Sequence, residues 1–196
     1  MSSTRSVLLL VSIALCWLTC LAAPQAEFSG DPGLQQFVRK NKQFITGIKA
    51  DIVALNGLVR KAFGLGSDTE LMLIQKILGV EEADVSHCRQ DPCDMEGCFN
   101  QILAGLQTYS GYLSHVSQIL TTYTDRVVNV QLDVSNLSSN IQRQMEESSL
   151  TSVVYPQAES VPKFVEVQRE IGSYLVLRNL QKFMDEIFRA LRHCGS

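Results

Sequence analysis

Four cysteines, Cys88, Cys93, Cys98 and Cys194, are the residues of this chain best suited to make bonds of their own. In an oxidising compartment an even set of thiols forms disulfides, and four allow three pairings. A zinc site built from His87 and these thiols is the rival. The four-residue gaps separating Cys88, Cys93 and Cys98 fit a zinc knuckle poorly, and a second close pair is missing. His87, His115 and His193 are scattered and read as structural or surface residues. Acid–base catalysis has no seat either. Asp133 has Glu146 and Glu147 further along the same predicted helix, where thirteen residues of rise hold Asp133 and Glu146 roughly 20 Å apart, too far for joint work. No nucleophile motif, metal motif or phosphate loop occurs. The reading is of a protein that is not an enzyme and carries no cofactor or metal. Asn136-Leu137-Ser138 is a glycosylation sequon placed mid-helix, where little use of it is expected.

Positioning the cysteines is the work of the chain around them. Met1 to Arg5 carries one positive charge, and Val7 to Leu21 is apolar apart from Ser12 and Thr19. Small residues follow, with cleavage expected after Ala22, the layout of a secretory signal. Cys16 and Cys20 would leave with it, and residues 23–196 would form one domain. Arg5 would leave too, so 16 Lys and Arg would face 20 Asp and Glu, a net charge of −4. That sign and the lack of a large basic block disfavour nucleic acid and anionic membranes as partners. The apolar run is shorter than the roughly 20 residues that span a bilayer. The expected product is secreted, not inserted in a membrane.

Apolar residues recur at three- and four-residue gaps in four long stretches. The first predicted helix runs from about Leu34 to Ala62, with Ile45, Ile48, Ile52, Leu55 and Val59 on one face. Asp31-Pro32 suits its start, and Gly64 and Gly66 its end. A short helix from Ser67 to Leu78 begins with a capping box, Ser67 with Glu70. Val80 to Asp94 reads as acidic and irregular. The second long helix runs from near Asp94 to Leu120, the third from about Asp125 to Glu147, and the fourth from about Pro162 to His193. Thr121 to Thr124 leave only a tight connection between the second and third, which must therefore be antiparallel neighbours. The other two connections are long. Fifteen extended residues reach roughly 50 Å, the length of such a helix and more. The expected fold is all-α, a long-chain four-helix bundle running up-up-down-down, with two overhand crossovers and a short helix in the first.

In that topology Cys93 and Cys98 share an end of the bundle with Cys194. The favoured pairing is Cys88–Cys98 with Cys93–Cys194. The small loop is worth about 2–3 kcal/mol and the large one up to about 4.7.

Leu71 to Leu73, Leu78-Gly79, Gly97-Cys98, Gln131 to Val134, Gln144 to Glu147, Leu180 to Phe183 and Leu191 to His193 carry a further signal. In that order and spacing the chain resembles the granulocyte colony-stimulating factor family over nearly its whole length after the signal. The interleukin-6 type cytokines are the neighbouring alternative. The resemblance implies a monomeric growth factor that binds a class I cytokine receptor, pairs two receptor chains and acts on granulocyte precursors. A secreted lipid carrier of amphipathic helices is the reading from another class. Well-filled apolar stripes argue against the cavity it needs.

The resemblance also implies two receptor surfaces. The larger lies on the first and third long helices, where Lys40 and Asp133 match family contacts. Gln43, followed by Phe44, and Asn136 stand where acids are expected, so two negative charges are missing. The smaller joins the short helix, through Glu70, Met72 and Leu73, to the start of the fourth long helix, where Val167 replaces a frequent aromatic. Taken as bare residues, Lys40 and Asp133 are also ordinary solvated charges, and Leu73 suits a core as well as a contact. The family's other disulfide is absent: its positions read Arg60 and Gly66. Cys93 and Cys194 are departures in the opposite direction.

Overall fold

Among the described residues of the computed structural model every element is a helix, and the cross-helix contacts fix how the helices run. The structure describes residues 31–78, 80, 82–153 and 168–195. The chain divides into two units, 1–32 and 33–196, and the bundle belongs to the second.

Helix α1 spans Pro32–Ala62, α2 Asp68–Leu78, α3 Met95–Ile119, α4 Thr124–Glu147 and α5 Arg169–Cys194. The Lys49 ammonium pairs with Asp185, Asn56 donates to Gln181 (3.4 Å), and Lys42 stands 4.9 Å over the Phe188 ring. Numbers rise on α1 as they fall on α5, so the two are antiparallel. Asn140 donates to Asn41 (3.0 Å), and the Asp51 charge acts on Asp133, which makes α4 antiparallel to α1 as well. Gln131 of α4 donates to the Ser110 carbonyl and Ser114 hydroxyl of α3 (3.1 and 2.6 Å). Tyr109 of α3 packs on Phe183 of α5 with ring centroids 5.4 Å apart. Thus α1 and α3 run one way, α4 and α5 the other: up-up-down-down. The helices meet around the bundle in the order α1, α5, α3, α4.

The core fills the middle. Ile45, Ile48, Ile52, Ile102, Leu113, Val134, Ile141, Leu177, Leu180 and Ile187 lose essentially all contact with water, each worth about 1.5–3 kcal/mol. Gly105 shows how close the packing is. A Cβ there would meet the Phe183 ring and stand 2.9 Å from the Ala83 methyl.

The short helix starts with a reciprocal capping box, as Glu70 accepts from the Ser67 N–H (3.1 Å) and Ser67 Oγ from the Glu70 N–H (3.4 Å). Gly64 leaves α1 at φ +56°, a conformation open to glycine. The acidic stretch after α2 is more ordered than its composition suggests. Ser86–Arg89 form a 3-10 turn, with Val80, Val85 and Cys88 buried. It is held down by α5: Asn179 donates to the Val80 carbonyl (3.4 Å) and Lys182 pairs with Glu82 (2.7 Å). At the same end Asn100 donates to the Thr151 carbonyl and accepts from the Val153 N–H, both at 2.8 Å, while Glu96 accepts from the Thr151 N–H (3.0 Å). Residues 151–153 are thereby pinned beside the first turn of α3. The chain is next described at Gln168, at the opposite end of the bundle. The start expected for the last helix near Pro162 lies outside the described residues.

Candidate functional site

Two disulfides gather the cysteines at one end. Cys88–Cys98 bridges Cα atoms 4.4 Å apart and Cys93–Cys194 bridges Cα atoms 5.4 Å apart. Between them Asp94 caps α3, accepting from the Gly97 N–H (2.9 Å) and from His87 Nδ1 (2.7 Å). The Gly97 bond foremost, then His87, holds the Asp94 carboxyl below its usual range. His193 Nε2 donates to the Gln90 carbonyl (2.8 Å). Both imidazoles thus bond within the fold, and no group of three or more His, Cys, Asp or Glu able to hold a metal occurs among the described residues. No helix among them is long and apolar enough to cross a membrane.

The candidate residues of the larger surface spread over α1 and α4. Lys40 and Gln43 are exposed on α1, but Gln43 lines a groove on the flank towards Phe188 of α5, and Phe44 is partly buried against the core. Lys40 lines a groove with Gln36, Asn140, Arg143 and Glu147. Asn136 is exposed on α4 and Asp133 half-buried. Burial, and then the charge of Asp51, push the Asp133 carboxyl up. Lys40 and Asp51 stand eleven helical residues apart, roughly 16 Å. Lys40 and Asp133 therefore share the seam without touching. Sequence reasoning missed Asp51, because its meaning depends on which helix it faces.

The short helix presents a different surface. Leu71 is buried, while Met72, Leu73 and Ile77 are 59%, 61% and 76% exposed. Leu73 is therefore surface, not core. Ile77 was readable only as one more apolar position; packing on one side alone is what leaves it in water. Glu70 is exposed, with one carboxylate oxygen bonded to Ser67. Val167 lies outside the described residues.

A disulfide-stapled up-up-down-down bundle of four long helices is the architecture of a helical cytokine. The model of the granulocyte colony-stimulating factor family matches residues 45–192. The chain is 39% identical to myelomonocytic growth factor of Gallus gallus over 180 residues, 90% of each chain. It is 33% identical to granulocyte colony-stimulating factor of Felis catus over 178 residues, 90% of this chain and 91% of that one. The human protein of that name is 32% identical over 181 residues, 90% of this chain and 86% of its own. The chain belongs to the granulocyte colony-stimulating factor family, a family of growth factors and not of enzymes.

Proposed function

We propose that this protein is secreted after removal of residues 1–22, binds a class I cytokine receptor as a monomer, and pairs two receptor chains on granulocyte precursors. One observation supports the pairing: two separate patches reach solvent, Lys40, Asp133 and Asn136 along α1 and α4 with Gln43 and Phe44 beside them on α1, and Met72 and Leu73 beside Glu70 on α2. Two faces on one rigid body are what a ligand needs to hold two receptor chains at once. The relatives' names point to the granulocyte lineage, and the receptor class is the one the family resemblance implies.

Myelomonocytic growth factor, at 39% identity, supports a second reading in which monocyte precursors also respond. The test is binding of the mature protein to the receptor ectodomain, with the mass of the complex read by light scattering. A two-to-two assembly is expected, with Glu70→Ala leaving one-to-one binding and Asp133→Ala weakening it. Absence of binding by a folded protein would move the assignment to an interleukin-6 type receptor. Colony assays on marrow cells separate the two target readings.

A further inference from the structure

On the side of the bundle away from the α1–α4 seam, three arginines and a histidine crowd around the disulfide end. Arg89 comes from the 3-10 turn, and Arg189, Arg192 and His193 from the last two turns of α5. They line one open depression with Cys88 and Glu186. Glu186 alone draws two of them together: Arg89 approaches its carboxylate at 3.4 Å and Arg189 at 2.8 Å. Both arginine side chains remain mostly in water, 69% and 60% exposed, and Arg192 and His193 are exposed as well. Nearby, Asp185 is engaged by Lys49 and Glu82 by Lys182, while Asp91, two residues after Arg89, is exposed. Among the residues that line the depression, one carboxylate stands with three guanidinium groups, in a chain whose net charge is −3.

Like charges held together cost energy unless an anion joins them, and here the scaffold does the holding. Cys88–Cys98 fixes the residue before Arg89, and Cys93–Cys194 fixes the residue after His193. The cations are arginines without a lysine among them. The planar guanidinium fork pairs two oxygens at once and is weakly hydrated, which suits sulfate-type oxyanions. Arg189 and Arg192 lie one helical turn apart, about 5 Å, so neighbouring forks meet a repeating anion and not a single ion.

We propose that this depression is a docking site for a sulfated glycosaminoglycan, the polyanion of the cell surface and matrix. The proposal rests on the reading of an exported protein, and because α3 and α5 lie across the bundle from the seam, a bound polysaccharide leaves that face open.

The test is chromatography of the mature protein on immobilised heparin. Retention at about 0.15 M NaCl and elution at higher salt are expected. Arg189→Ala with Arg192→Ala should weaken binding about tenfold or more and emerge in the flow-through, with an unchanged circular dichroism spectrum and unchanged receptor binding. Glu186→Gln should elute later than the parent. Flow-through of the parent, equal elution of the double variant, or earlier elution of Glu186→Gln would each overturn the site. So would retention on phosphatidylserine vesicles without retention on heparin. Receptor binding is scored separately, so loss of the growth-factor reading leaves this result standing.

Discussion

Asp94 serves the Gly97 N–H and the His87 ring with one carboxylate, and both partners favour its ionised form. Its folded pKa is depressed, so the stability it contributes is present above the unfolded value, near 3.9. That contribution fades as pH falls through the folded value. Asp94→Ala should lower Tm at neutral pH, and the gap to the parent should close below about pH 4. Thermal melts from neutral to acid pH check this; a constant gap would refute it. Asp133 has the opposite sign. Its carboxyl is raised by burial and by Asp51, so ionisation costs stability at neutral pH and protonation relieves it in acid. Asp133→Asn should raise Tm slightly at pH 7, with the gain vanishing in acid, while weakening receptor binding about tenfold. Glycan occupancy at Asn136, read by mass spectrometry of the secreted protein, should be low; full occupancy would remove the seam from the candidate surfaces. Asp133 was legible as a charge on a helix, but its strain was not, because that depends on which helix Asp51 faces.

Gly105 reverses the ordinary rule for its helix. Replacing a mid-helix glycine by alanine usually gains about 1 kcal/mol. Here the new methyl would collide with Phe183 and Ala83, so Gly105→Ala should cost about 1–3 kcal/mol in urea unfolding. The short helix carries the complementary expectation. Met72, Leu73 and Ile77 contribute little to the fold from the surface, so Leu73→Ser should leave Tm within about 2 °C, because surface changes shift stability by no more than about 0.5 kcal/mol. Receptor pairing should nevertheless be lost. The four long helices were readable because each buries a continuous stripe. The short one was readable in extent but not in facing: packed on one side, it leaves in water apolar residues that a stripe would have placed inside. The 3-10 turn at Ser86–Arg89 was hidden in an acidic stretch because distant residues hold it, Gln101 and Cys98 of α3 at the turn and α5 at Val80 and Glu82, besides the local bonds of Asp84 to Ser86.

At the scale of the whole molecule, loop lengths permitted the crossover topology, and the contacts of α1 with α4 and α5 establish it. What loop length cannot carry is the detail that seats the crossovers, such as Asn100 binding the chain at Thr151 and Val153. Replacing Cys93 and Cys194 by serine should cost more than replacing Cys88 and Cys98, up to about 4.7 kcal/mol against about 2–3, since their bond spans 101 residues and the other spans 10. Parallel heat denaturation of the two double variants decides the order. The longer bond also makes one covalent ring of α3, α4, α5 and everything between them. Thr151, Ser152 and Val153 lie exposed on that ring. A protease cutting there would open the chain without releasing a fragment: the two pieces would travel together as one particle until a reductant parted them. Survival of the growth factor among proteases would then be governed by thiols, not by the first cut.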